Sequence, residues 1–370
     1  MSAESTSSAR PPVRVLVVDD SPTVRAVLRR MIGRDPGLSV VGEASDGREA
    51  VQLNGLLRPD VVLMDLEMPG LDGFAAIQQI VERAPTPILV LSSRLRVGGR
   101  RTVFEALQAG ASEVLAKPES PDAWGTLTSK LPETIRSLAR AGAMGEGAQS
   151  GDGAVERAVA PPIHREPVGE QPATERSTAA RLELVAVGAS TGGPQALQAL
   201  LEGLRGSLRA AVVVVQHIAP EFQGGLADWL REVVGLDVRI AQHGEVVPGG
   251  AVRLAPQGSH LRLKADGSLE LDAATPPRRG HRPSADELLL SCARLGPRAA
   301  GILLSGMGRD GVEGLLAMRR AGATTLVQDE ASSVVFGMPR AALEAGAADV
   351  ALSPSALAAR VVEISRGETR

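Results

Sequence analysis

The sequence predicts an α/β protein built from two doubly wound, parallel-sheet domains, residues 13–142 and 181–366, with a flexible linker over 143–180. Three observations lead there. Short apolar runs alternate with helical patterns in two separate stretches, and the alternation collapses between them into Gly, Ala, Pro, Glu and Ser. The 370 residues exceed one average domain. Hydrophobic residues make up 44% of the chain but aromatics only 2%, with no Tyr, so its cores must come from Leu, Val, Ile and Ala. That composition suits buried parallel strands covered by helices.

Taken in order, the first half offers five strand-like runs: VRVLVVDD, LSVVGEAS, DVVLMDLEMP, TPILVLSS and ASEVLAKP. Helical segments separate them. In SPTVRAVLRRMI, Ser21 is placed to cap the helix and Pro22 fits its first turn. The stretch AMGEGAQSGDGAVERAVAPP has nothing that can bury a core, and reads as linker. From Leu182 the alternation returns with LELVAVGAS, helical GGPQALQALLEGL, strand AAVVVVQHI and a helix through ADWLREVVG. A β-rich insert is expected next, over DVRIAQHG and AVRLAPQGSHLRLKADGSLELDA, with turns at PGG and ADG. Helical SADELLLSCARL, strand AAGILLSGMG, helical GVEGLLAMRRAGA and strand TTLVQDE close the second domain.

Composition narrows the function. Lys plus Arg is 40 against 43 Asp plus Glu, a formal charge of −3, so nothing in bulk electrostatics favours coating nucleic acid or anionic lipid. Cys292 is the single cysteine, which excludes an intrachain disulfide and fits a reducing cytoplasm. Met1–Pro12 lacks an apolar signal core, and no apolar run approaches membrane-spanning length. A soluble cytoplasmic protein without membrane insertion is expected.

In the first half Asp19 and Asp20 follow the first strand, Asp65 ends the third, Ser92 the fourth, and Lys117 follows the fifth. In a parallel sheet all lie on one edge, where ligand chemistry gathers. Crowded carboxylates repel one another and favour a hard cation such as Mg²⁺. One carboxylate can then attack a phosphoryl group while the cation and Lys117 neutralise its oxygens. A single strand-end Asp is equally a turn former, but DD, D-x-x-M-P-x-x-D-G, S and KP all fall at strand ends. Together they resemble the response-regulator receiver family over nearly all of residues 13–142. The resemblance implies a flavodoxin-like fold, Asp65 as phospho-acceptor, and Mg²⁺ held by Asp19, Asp20, Asp65 and the Glu67 backbone carbonyl. It implies Ser92 and Lys117 as phosphoryl contacts and a CheA-type histidine kinase as phosphodonor. Val114 stands where many receivers carry an aromatic switch residue.

In the second half VAVGASTGGPQALQAL reads as strand, sharp turn and helix. Ser190 at that turn is either a helix N-cap or a nucleophile near free helix amides that can stabilise an oxyanion. A dinucleotide or phosphate loop does not fit, because neither GxGxxG nor GK[ST] is present. The string Gly188-Ala189-Ser190-Thr191-Gly192 matches the G-x-S-x-G elbow, yet the order Ser, His, Asp differs from that of the α/β-hydrolases. His217 ends the apolar strand AVVVVQHI, and Asp310 follows the strand GILLS. Alone, the His is more often structural and the Asp a cap. At three strand ends of one parallel sheet, Ser, His and Asp can converge as a triad, which is defined by geometry and not by order.

GASTGGP, QHI, PSAD, GMGRDG and QDEASSVVFGMPRAAL resemble the catalytic domain of CheB-type chemotaxis methylesterases, over most of Leu182 to Ile364. The resemblance implies a Rossmann-like domain with a β-hairpin insert, Ser190 as nucleophile, His217 as general base and Asp310 as its orienting carboxylate. Thr191 and Met307 would sit beside the site, and the esterase would need no cofactor. The implied substrate is a glutamyl γ-methyl ester on a chemoreceptor cytoplasmic helix, with glutamine deamidation as a further possibility. His243, His260 and His281 are expected as structural or surface residues, and Cys292 as a core-facing helix residue. A DNA-binding output domain would need a helix-turn-helix with a basic recognition helix, which the strand-rich second half lacks. The linker suggests that an unphosphorylated receiver covers the Ser190 cleft and leaves it on phosphorylation.

Overall fold

Runs of Val, Leu and Ile bounded by turn residues form the strands of two separate parallel sheets. A computed structural model describes residues 11–92, 96–97, 101–118, 124–147 and 181–367; residues 148–180, most of the expected linker, lie outside the described residues. In the first domain the strands are β1 (Val13–Val18), β2 (Leu38–Ala44), β3 (Val61–Met64) and β4 (Ile88–Ser92), then a short hairpin of β5 (Arg96–Val97) and β6 (Arg101–Thr102), then β7 (Glu113–Ala116). The main sheet runs β2-β1-β3-β4-β7, all parallel. Helices α1 (Pro22–Ile32), α2 (Gly47–Leu57), α3 (Gly73–Arg83), α4 (Glu105–Gln108) and α5 (Trp124–Gly147) connect and cover it. Ser21 caps α1 by accepting from Val24 N–H, and Asp46 and Asp72 cap α2 and α3. The helix α5 continues to Gly147, past the expected start of the linker.

Strand order reverses on either side of β1, and a crevice opens at the carboxyl ends of β1 and β3. Asp19 and Asp65 stand at those two ends.

The second domain contains β8 (Leu184–Ala189), β9 (Ala211–Gln216), β10 (Val238–Ile240), β11 (Val252–Leu254), β12 (His260–Leu263), β13 (Leu269–Asp272), β14 (Ala299–Leu303), β15 (Thr324–Gln328) and β16 (Val350–Leu352). Its helices are α6 (Gly193–Leu204), α7 (Pro220–Val234), α8 (Ala285–Cys292), α9 (Val312–Arg320), α10 (Met338–Glu344) and α11 (Pro354–Ser365). Seven strands form one parallel sheet in the order β10-β11-β9-β8-β14-β15-β16.

The expected β-rich insert therefore divides. DVRI and AVRL become the sheet-edge strands β10 and β11, while β12 and β13 alone form an antiparallel hairpin. Burial explains the capture, since Val238 and Val252 face each other in register and both are fully buried. Arg253 of β11 is also buried, held by Glu245 at 2.5 Å and Asp237 at 3.2 Å. On α6, Leu197, Leu200, Leu201 and Leu204 are buried at helical spacing and pack in one core with Leu357, Ala358 and Val361 of α11. Each such Leu contributes about 1.5–3 kcal/mol by leaving water. No described helix is long and apolar enough to cross a membrane.

The two domains are docked. Phe104, just before α4, stacks on Trp229 of α7 with centroids 5.6 Å apart and meets Phe222 edge-on at 6.4 Å. Gln195 Nε2 on α6 donates to Ala111 O at 2.7 Å. The edge of the first domain around β7 thus lies against the α6 and α7 side of the second domain, close to where Ser190 leaves β8.

Candidate active site

Ser190, His217 and Asp310 come from loops after β8, β9 and β14, three neighbouring strands. Ser190 N–H donates to Ser305 O at 3.0 Å, tying the Ser190 turn to the loop after β14. His217 N–H donates to Ala189 O at 2.9 Å, placing the histidine directly beside Ser190's strand end. Gly192 has φ +75, and a side chain there would meet Val334 and the Ser305 hydroxyl. At Gly193 a Cβ would fall 2.0 Å from Gln216 Oε1. The space left is used by Gln216, whose Nε2 donates to Ser190 O at 2.8 Å and His217 O at 3.0 Å.

His217 Nε2 lies 2.9 Å from Asp310 Oδ2. Its Nδ1 is buried and has no partner among the described residues. Nδ1 is the ring nitrogen that Asp310 leaves open, and Ser190 and His217 line the same cleft. Asp310 accepts from the Ser284 hydroxyl at 2.6 Å and from the Ala285 and Asp286 amides at 2.7 and 3.1 Å. Those amides open α8, so the helix N-terminus points at the carboxylate. Burial works to raise the Asp310 pKa. The hydrogen bonds from His217, Ser284 and Ala285 outweigh it and hold the group well below the usual carboxylate range.

The acidic pocket of the first domain also assembles. Oxygens of Asp19, Asp20 and Asp65 lie within 4.8 Å of one another, Asp19 and Asp65 buried and Asp20 exposed. Lys117 Nζ reaches Asp19 at 2.6 Å and Asp65 at 3.2 Å. Burial pushes the Asp65 pKa up to about 6, with Lys117 opposing and Asp19 reinforcing the rise. Ser92 ends β4 beside this pocket, and its carbonyl accepts from Lys117 N–H at 2.8 Å. Glu67 follows Asp65 in the loop between β3 and α3. A cluster of oxygen donors beside one lysine fits a hard divalent cation and a phosphoryl group.

Between the domains lies a cleft of about 620 Å³. Ser190, Thr191, His217 and Met307 face it from one side, Glu113 and Lys130 from the other.

Two family models match the chain: CheB methylesterase over residues 185–361 and response regulator receiver domain over residues 15–127. A relative from Anaeromyxobacter dehalogenans, named protein-glutamate methylesterase/protein-glutamine glutaminase 2, is 42% identical over 96% of this chain and 98% of its own length. The chain belongs to the CheB methylesterase family. A second CheB-family relative, protein-glutamate methylesterase/protein-glutamine glutaminase 3 of Myxococcus xanthus, is 42% identical over 92% of this chain and 91% of its own. The crystal structure of the Thermotoga maritima CheB methylesterase catalytic domain is also similar, at 35% identity and a TM-score of 0.48. It covers 50% of this chain and 98% of that one.

This CheB-family chain also has site features that sequence reasoning did not assign. His281, expected as structural or at the surface, lies flat against His217 with ring centroids 3.9 Å apart. Glu113 of β7 is buried and accepts from Gly192 N–H at 2.5 Å, across the domain boundary and beside the Ser190 turn. Its other oxygen accepts from Val114 N–H at 2.9 Å, and burial pushes its pKa up to about 7. Val114 itself is buried against this junction, so no aromatic ring swings at that position. His260 and His243 are structural, bonding to Ser284 N–H and Leu271 N–H. Cys292 is buried in the core with its thiol pushed up to about 12 by burial.

Proposed function

We propose that this chain is a phosphorylation-activated serine hydrolase that demethylates glutamyl γ-methyl esters on chemoreceptor cytoplasmic helices, acting in the cytoplasm. The observation that carries the reading is the Asp310–His217 pair on the strand end beside Ser190, with His217 Nδ1 unpartnered among the described residues. Ser190 Oγ attacks the ester carbonyl carbon while His217 takes its proton on Nδ1. Collapse of the tetrahedral adduct breaks the C–O bond, and the proton passes from His217 to the leaving oxygen to give methanol. Water, deprotonated by His217, then cleaves the Ser190 acyl ester and leaves a free glutamate. Thr191 and Met307 border the reacting carbonyl. The same steps on a glutamine side chain release ammonia, in keeping with the glutaminase half of the relatives' names.

In the receiver, Asp65 accepts the phosphoryl group from a CheA-type histidine kinase, and Ser92 and Lys117 contact it. Asp19, Asp20, Asp65 and the Glu67 carbonyl would hold Mg²⁺, which when bound neutralises phosphoryl oxygens. The docked receiver restrains the esterase by covering one side of the Ser190 cleft and by engaging the Gly192 amide through Glu113. Phosphorylation of Asp65 weakens that docking. The domains are taken as 13–142 and 181–366, with 143–180 as the tether.

The test is methanol release from methyl-labelled receptor membranes, with and without a small phosphodonor plus Mg²⁺. Release should require Ser190 and rise with phosphodonor only while Asp65 is present. Equal release from Ser190→Ala would sink the hydrolase assignment, and an unchanged phosphodonor response in Asp65→Ala would sink the gating assignment.

A further inference from the structure

We propose that His281 is a positioning residue that fixes and supports the catalytic imidazole by stacking face-to-face on His217. The inference rests on His217 being the general base. The two rings are 3° from parallel at a centroid distance of 3.9 Å. Asp310 holds His217 through Nε2 alone. One hydrogen bond leaves an imidazole free to swing about that contact, because its outer torsion has a broad minimum. Nδ1 is buried without a partner among the described residues, so none of their polar groups fixes its aim. A flat ring packed on one face removes the remaining freedom and fixes the imidazole beside the Ser190 turn.

His281 is itself rigidly presented. Its N–H donates to Arg278 O at 2.9 Å, and Arg278 N–H returns the bond at 3.0 Å. The pair closes a tight turn whose central residues, Arg279 and Gly280, have φ 50 and 84. Arg278 is anchored by Glu287 and Glu313, each at 2.8 Å. On the other side Arg282 Nη1 donates to Ala273 O at 2.9 Å and Thr275 O at 3.1 Å. The segment just after β13 and the starts of α8 and α9 thus hold this arm against the cleft.

The stack also matches the charge that catalysis creates. His217 becomes an imidazolium as Ser190 attacks, and an aromatic face attracts a cation whereas a second imidazolium would repel it. The titratable groups that act on His281 are His217, Asp310 and Lys130 of the receiver. Burial first, then His217 and Lys130, push its pKa down to about 4 against the pull of Asp310. His281 is uncharged at neutral pH and presents only a neutral π face.

The experiment compares full-length wild type, His281→Ala and His281→Phe, all with phosphodonor and Mg²⁺. Two readouts are taken: the rate at which a fluorophosphonate labels Ser190, which needs no receptor, and kcat and KM for methanol release. His281→Ala should lower the labelling rate and kcat about tenfold with KM within about twofold, and His281→Phe should recover most of the loss. An Ala variant within about twofold of wild type in both rates, or a loss confined to KM, would overturn the proposal. So would a Phe variant as slow as Ala with an unchanged melting temperature, since the flat face is restored there. Wild-type protein that fails to label at Ser190 would overturn the triad beneath the proposal, an outcome distinct from these.

Discussion

Asp65 directly follows β3 and Asp310 lies in the loop after β14; each is under 10% exposed, and each has a cationic or protonatable partner within 3.2 Å. Their acid–base character is nevertheless opposite. Asp65 is pushed up to about 6, while Asp310 is held well below the usual range. The difference is the supply of donors. Asp310 receives a hydroxyl, two helix amides and an imidazole, whereas Asp65 has one amide, Lys117 and the repelling Asp19. An aspartate short of donors gains from a cation and an incoming phosphoryl group. One saturated with donors is inert as a nucleophile and serves as a fixed negative charge. Strand-end placement alone therefore does not assign a role.

The sharpest way to break this comparison is Asp310→Asn. An amide there presents N–H groups to His217 or to the α8 amides, and kcat should fall about 10³–10⁴-fold. A fall under about tenfold would mean that the fixed charge is not needed. Asp65→Asn should leave the unstimulated rate near wild type while removing the whole response to phosphodonor, read in the same methanol assay. Ser284→Ala takes one donor from Asp310 and should lower kcat about tenfold, because a buried acceptor left short costs about 1–3 kcal/mol. An unchanged kcat in that variant would show that the two helix amides suffice.

The smallest expected effect concerns pH and the third buried carboxylate. Docked Glu113 holds its proton to about pH 7, against an ordinary value of 4.5 once hydrated. Docking is thus fully supported below about 4.5 and loses that support as pH rises towards about 7. Relative to the fully phosphorylated rate, unstimulated activity should climb a few-fold from pH 5.5 to 7.5, within the tenfold-per-unit limit of a single proton. Glu113→Ala should abolish the climb and raise the unstimulated rate at the lower pH.

Much of this was legible in the sequence because strand ends are marked by local signals. VVLMDLEMP and VVVVQHI announce an apolar strand and then the residue delivered at its end, so Asp65, Asp19, Lys117, Ser190, His217 and Asp310 were all locatable. The residues that act across long separations were not. His281 sits in a tight turn with no periodicity, and its ring partner is 64 positions away by residue number. Glu113 read as an ordinary residue of a strand, and only the docking of two domains reveals that it meets Gly192. The sequence reads β10 and β11 as part of an insert because three-residue strands carry too little pattern to show which sheet claims them.

The aromatic contact at the domain junction has a spectroscopic consequence. The chain has two tryptophans and no tyrosine, and Trp229 is almost wholly removed from solvent beneath Phe104. Separation of the domains uncovers the Phe104 side of this indole, and its emission should shift to longer wavelength on adding phosphodonor, in wild type but not in Asp65→Asn. Replacing Trp124 by Phe would leave Trp229 as the sole emitter. Were activation to separate the domains as proposed, it could be followed in real time by this intrinsic fluorescence, without a dye.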